Sequence, residues 1–368
     1  MKKKIGLIVN PVAGMGGSVG LKGTDGGSYE RALKLGARPV TPARTKDLLE
    51  RIRKKEDIDL LSAPGRMGAE YLQGCAVTSA VAGSVAEQTS AEDTKRIAGE
   101  MLKKGIELLI FVGGDGTARD IYDAVGLAIP VVAVPSGVKV FSAVFAFSAR
   151  AAAEMVDAFI AGASTLEEEV LDIDEKAFRE NRLASKLYGY LLVPAVKKYL
   201  QGGKECSNTS ATAAESKQEI ARCISESMDR DTLYLLGPGT TVQAVADEAG
   251  VEKTLLGVDA LAGGRLVGTD IGEKQILSLF QEFDKRTIIV TPIGGNGFIF
   301  GRGSKQFTPE VIRQVGKKNI IVVGTRDKLM KLEALRVDTG DYELDQALAG
   351  YTEVTVGRKE ILKMEVRC

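Results

Sequence analysis

Aliphatic runs that end on a glycine or proline corner and then pass into an amphipathic stretch recur along this chain. They are "KIGLIVNP", "IDLLSAPG", "IELLIFVGG", "IPVVAVPSG", "TLYLLGPG", "TIIVTPIGG" and "NIIVVGT". Such runs, alternating with helical spacing, read as βα units around a largely parallel sheet. At 368 residues the chain exceeds what one hydrophobic core usually organises, so two lobes are expected. The first, residues 1–163, reads as a Rossmann-like α/β lobe with a parallel sheet; the second, residues 164–368, reads as a β-rich, α+β lobe. The texture changes just after "AGAST", where "LEEEVLDIDEKAFRENRLASKLYGYLLVP" alternates as antiparallel strands with one wet face do. "TSAEDTKRIAGEMLKKG" predicts a helix capped at Thr89 or Ser90 and stopped at Gly105. Residues 201–214, "QGGKECSNTSATAA", read as a polar loop or the approach to a helix.

Composition removes several function classes. The 49 basic residues balance the 49 acidic ones, and no basic block extends beyond Lys2–Lys4, so no nucleic-acid or membrane-surface partner is expected. No apolar run approaches the ~20 residues of a membrane span, and a soluble, cytoplasmic protein is expected. Cys75, Cys206, Cys223 and Cys368 show no CxxC spacing, and the chain has no histidine, which removes the usual zinc patterns and points to reduced thiols. Without histidine, general-base work falls to a carboxylate, lysine, tyrosine or cysteine.

Ligands of open α/β sheets collect at the carboxyl ends of strands, where a helix start offers unpaired N–H groups. Three corners here read equally well as turns or as phosphate sites: "APGRMGAE", "GGNGFIFGRG", and "GPGTTVQAV" with Gly237, Gly239, Thr240 and Thr241. The first loop, "VAGMGGSVGLKGTDGG", matches neither GxxxxGK[ST] nor a clean GxGxxG. "GGDGTARD" combines more. Gly113, Gly114 and Gly116 allow close backbone approach to a ligand, and Thr117 can cap the following helix. Asp115 would repel a bare phosphate; it makes sense engaging a hydroxyl, or a metal, beside phosphates. The alternative is an ordinary Asp-Gly turn. Asn10 of "NPVAG" is expected at a strand end facing the same corner, with an Asn-Pro turn as the plain alternative. Ser136 and Gly137 follow the next strand; Lys139 and Arg119 are the candidate cations, each otherwise a solvated side chain.

"VGGDGT" resembles the signature of the kinase superfamily that includes NAD kinases, diacylglycerol and sphingosine kinases, and 6-phosphofructokinases. "FVGGDGTARDI", together with "GLIVNPVAGMGG", "PSGVKVFSAVFA" and "LDIDE…LYGYLLVP", resembles the ATP-NAD kinase family in its longer, archaeal and acetoin-utilisation-associated branch. The resemblance covers most of the chain and is most specific through about residue 195. It implies a two-lobed homo-oligomeric enzyme that transfers phosphate from ATP, or from polyphosphate, to a small molecule, with magnesium or manganese as the metal. NAD is the implied acceptor through its adenosine ribose 2′-hydroxyl, Asp115 the implied base, and the glycine corner the phosphate holder. The Asn-Glu pair that typical NAD kinases carry after the first lobe is missing between Glu167 and Pro194. A sugar, nucleoside or lipid acceptor therefore stays open, as does a nucleotide-binding regulatory protein without chemistry. Lipid is disfavoured: "PSGVKVFSA" lacks the Asn-Asp pair of the lipid kinases.

Overall fold

The computed structural model describes residues 2–17, 19, 28–75, 77–86, 89–136, 140–173, 185–196, 199–200, 211–293, 296–358 and 360–368. The chain divides into two compact units, Met1–Met15 with Arg38–Gly203, and Gly16–Ala37 with Lys204–Cys368.

In the first unit five strands, β1 (Lys3–Val9), β2 (Ile58–Ser62), β3 (Thr78–Val81), β4 (Leu108–Gly113) and β5 (Val131–Pro135), form one parallel sheet in the order β3-β2-β1-β4-β5. Every residue of β4 and β5 is buried, as unalternating aliphatic runs require. Helices α2 (Thr41–Arg51) and α5 (Ala149–Ile160) pack on each other, as do α3 (Ala91–Lys103) and α4 (Asp115–Val125). Ser90 caps α3 in a reciprocal box with Asp93, and Gly105, at φ 75°, follows its end, as expected from the sequence. The short helix α1 (Ser28–Lys34) belongs to the second unit. The connections reverse direction between β1 and β4, so the loops leaving their carboxyl ends part there, which is where open sheets of this kind hold ligands.

The alternating segment after residue 164 forms the antiparallel hairpin expected for it, β6 (Thr165–Ile173) with β7 (Ser185–Pro194). It lies within the first unit and rests on α4. Tyr188 meets the Tyr122 ring edge-on with centroids 5.6 Å apart, and its hydroxyl donates to Asp123 at 2.9 Å. Gly189 passes over the Tyr122 ring so closely that an added Cβ would overlap Cε2 and Cζ.

The second unit holds a nine-stranded mixed sheet, built from α6 (Ala211–Glu226), β8 (Thr232–Leu236), α7 (Thr240–Glu248), β9 (Asp259–Ala262), β10 (Arg265–Gly268), α8 (Glu273–Leu279), β11 (Lys285–Val290), β12 (Phe298–Phe300), α9 (Pro309–Val315), β13 (Ile320–Val323), α10 (Arg326–Met330), β14 (Leu335–Val337), α11 (Tyr342–Leu348), β15 (Gly350–Gly357) and β16 (Glu360–Arg367). The strand order is β10-β9-β8-β11-β13-β15-β16-β14-β12. β8, β11, β13 and β15 run parallel, and antiparallel β9 and β10 close one edge. Of the polar stretch 201–214, residues 201–210 lie outside the described residues, and α6 begins at 211. Among the described residues no helix is long and apolar enough to cross a membrane.

Gly189→Ala tests the seating of the hairpin. Overpacking of this kind costs about 1–3 kcal/mol, so the melting temperature should fall by several degrees. A melting curve unchanged from wild type would show that the hairpin is not pressed onto Tyr122.

Candidate active site

The site grows from three segments at the carboxyl edge of the first sheet. β4 ends at Gly113, which faces Pro135 across the β4–β5 ladder, and Ser136 N–H donates to the Gly113 carbonyl at 2.9 Å. Gly114 is the N-cap of α4 and Asp115 its first residue, so Asp115 is helical and no turn residue. A Cβ on Gly113 would overlap the Thr117 side chain, which is why this position takes glycine. A Cβ on Gly114 would meet nothing within 4 Å, and one on Gly116 only the Arg119 guanidinium at 3.7 Å, so the backbone lies open beside both. The first amides of a helix have no intrahelical acceptor and sit at the positive end of its dipole.

Thr117 does not cap α4, contrary to expectation. It sits two residues inside the helix, and its buried hydroxyl accepts from Asn10 Nδ2 at 3.0 Å. Asn10 also accepts from Val12 N–H at 3.2 Å, and its own N–H donates to Val112 O at 2.9 Å. The ends of β1 and β4 are thereby stitched together, and Asn10 belongs to the same corner as the glycines.

Asp115, 8% exposed, takes donors from residues 141 and 142. Phe141 N–H donates to Oδ2 at 2.8 Å, Ser142 N–H donates to Oδ1 at 2.8 Å, and the Ser142 hydroxyl donates to Oδ1. Ser142 Oγ in turn accepts from Leu171 N–H of β6 at 2.9 Å. Nothing in the sequence singled out Ser142: its partners are 27 residues upstream and 29 downstream. Arg119 pairs with Asp172 and stacks near Tyr188, with 5.9 Å to the ring centroid, so the hairpin engages this cation. Gly137 and Lys139 lie outside the described residues, as do residues 294–295 of the "GGNG" corner. Gly237, Gly239, Thr240 and Thr241 lie in the second unit, where Gly239, and neither threonine, is the N-cap of α7.

One further carboxylate stands out on α4. Burial pushes Asp120 up to about 6, against the pull of Lys95, whose ammonium is 3.9 Å away and closer still, 3.0 Å, to Asp123. Asp120 faces α3 through that contact. It is a structural titration site.

Two family models match the chain: the ATP-NAD kinase N-terminal domain over residues 5–164, and the ATP-NAD kinase C-terminal domain over residues 229–366. A parallel sheet with a glycine corner at its switch point is an α/β architecture that holds ligands at that corner. The chain belongs to the ATP-NAD kinase family and is a kinase, a phosphotransferase. No curated protein matches it significantly. The family carries ATP-dependent phosphorylation of an NAD-like small molecule, with a divalent metal. Among the described residues no group of three or more acidic or cysteine side chains forms a metal cage.

The folded-state value of Asp120 lies above the ordinary ~3.9 of aspartate. Its contribution to stability is therefore full below pH ~4 and is lost as pH rises through about 6. Asp120→Asn should melt higher than wild type at pH 8, by about 2–4 °C for each ~1 kcal/mol recovered, and the gain should vanish by pH 4. A gain independent of pH would show that charge is not its cause.

Proposed function

We propose that this protein phosphorylates the adenosine ribose 2′-hydroxyl of NAD, with ATP as donor and magnesium or manganese as the metal. The observation that carries the reading is the Asp115 carboxylate, fixed at the β1/β4 switch point beside the open amides of α4, in a chain of this family. Phosphoryl transfer asks the protein chiefly to position reactants and to neutralise charge. The backbone at Gly114 and Gly116 and the start of α4 receive phosphate oxygens. Asp115 accepts the proton of the acceptor hydroxyl; no histidine exists to do so. Asn10 and Thr117 hold the two loops in register, and Ser142 with Phe141 holds the carboxylate at one angle. The metal, when bound, neutralises charge on the donor phosphates.

The panel that tests the acceptor is ADP release with NAD, NADH, nucleosides, sugars, inositol and diacylglycerol. NAD should turn over fastest; turnover with a sugar or lipid alone would replace the acceptor, and no turnover with any would favour a binding protein. EDTA should abolish turnover, and added magnesium or manganese should restore it. Full turnover in metal-free buffer would remove the metal from the reaction.

Asp115→Asn should lower kcat by about 10²–10⁴, the usual worth of a general base. It should also lower the melting temperature, because whichever way the amide turns, its NH₂ would face a donor, at residue 141 or at residue 142. Ser142→Ala separates the two effects: it keeps the carboxylate but strips one donor from it and one acceptor from Leu171 N–H. Its stability loss should be comparable and its kcat loss much smaller. Equal kcat losses in both variants would make Asp115 an anchor of the fold.

A further inference from the structure

The carboxyl ends of three adjacent parallel strands in the second unit, β8, β11 and β13, gather three corners at one edge: "GPGTT", "TPI" of residues 291–293, and "GTRDK". Their contacts are direct. A Cβ on Gly239, which has φ 115°, would lie 2.6 Å from the Thr291 methyl, and the Lys328 ammonium donates to the carbonyl of Pro292. A Cβ on Gly237 would lie 3.3 Å from the Phe307 ring, and one on Gly303 2.6 Å from Ile293, which brings the "GRGSKQF" segment to the same edge.

Three features there are left incompletely satisfied among the described residues. First, the hydroxyls of Thr291 and Ser304 and the Oε1 of Gln306 are buried, the residues being 2%, 0% and 5% exposed, and have no hydrogen-bond partner among the described residues. Buried polar atoms are ordinarily paired, since each orphan costs about 1–3 kcal/mol. Second, α7 starts at Gly239 with no side-chain cap, so its first amides and dipole end are directed at this edge. Third, Lys328 has no carboxylate within ion-pair distance among the described residues. Burial, and then repulsion from Lys217, push its ammonium down to about 8. A buried cation without a counter-ion is costly, and repulsion by a second cation adds to the cost. An uncapped helix start, orphaned hydroxyls and an uncompensated ammonium are all relieved by one kind of partner, an anion with several acceptor oxygens.

We propose that this edge of the second unit is a phosphate-binding site, formed by the start of α7, the hydroxyls of Thr291 and Ser304, and Lys328. Gln306 supplies an acceptor for a protonated oxygen or hydroxyl carried by the same ligand. The ligand is a phosphate group, free as phosphate or pyrophosphate, or borne by a nucleotide. The site requires neither NAD as acceptor nor Asp115 as base, because binding is read without turnover.

Hydrogen exchange on the full chain, without and with phosphate, pyrophosphate, ADP, ATP or NADP, tests it. Residues 237–243 and 291–307 should become protected together. Protection by pyrophosphate alone assigns a free phosphate ligand, and protection by nucleotides only assigns a nucleotide's phosphates. Lys328→Gln should weaken the effective ligand by tenfold or more. Thr291→Val should weaken it as well while leaving the unliganded protein as stable as wild type or more so, because the hydroxyl it removes bonds to nothing among the described residues. If none of the five ligands protects these segments, or if both variants bind with wild-type affinity, the proposal is overturned.

Discussion

The first unit is organised around one carboxylate. Asp115 begins α4, yet its oxygens take their donors from residues 141 and 142, beyond the next strand. A charged acceptor that receives backbone N–H groups is among the stronger hydrogen-bonded groups a protein can hold. Here it fixes three things together: the entry of α4, the course of the chain after β5, and, through Ser142, the distance to β6. The Asn10–Thr117 bond does the same work on the other side of the switch point. What remains open is the backbone at Gly114 and Gly116, which is the part that must admit phosphate.

The two units handle charge in different ways. In the first, the cation nearest the glycine corner among the described residues, Arg119, is already balanced by Asp172, and Lys95 is shared between Asp120 and Asp123. In the second, Lys328 is buried with no carboxylate within ion-pair distance among the described residues, while exposed cations such as Lys285 and Arg358 are paired with Asp229 and Glu226. Exposed pairs contribute little to stability. Lys253 is buried too, but it faces Asp259 at 3.8 Å, a partner for which Lys328 has no counterpart among the described residues.

Much of this was legible in the sequence, for a physical reason. Strand runs, the Ser90 cap, the Gly105 stop and the β6–β7 alternation are local properties, written in periods of 2 and 3.6 residues and in turn chemistry. The glycine corner and its link to Asn10 were legible too, since both lie at strand ends of a βα pattern. Ser142 was not, because its role depends on a carboxylate and an amide far away in the chain. Thr291, Ser304, Gln306 and Lys328 escaped for a different reason: runs of residues reveal strands, but only the order β8-β11-β13 makes their ends neighbours. Thr117 looked like a cap because threonine commonly is one; Asn10, distant in sequence, claimed its hydroxyl instead.

The Ser142 hydroxyl carries a single hydrogen, and that hydrogen is committed to Asp115 while a lone pair receives the Leu171 amide. The row from Leu171 N–H through Oγ–H to the carboxylate thus has one polarity and cannot be reversed. The Leu171 amide proton is held only while Ser142 Oγ stands where it also reaches Asp115, so its exchange rate on β6 follows the placing of the serine that braces a carboxylate on α4. The molecule contains its own gauge of whether Asp115 is set, at a residue with no part in the chemistry proposed for that carboxylate.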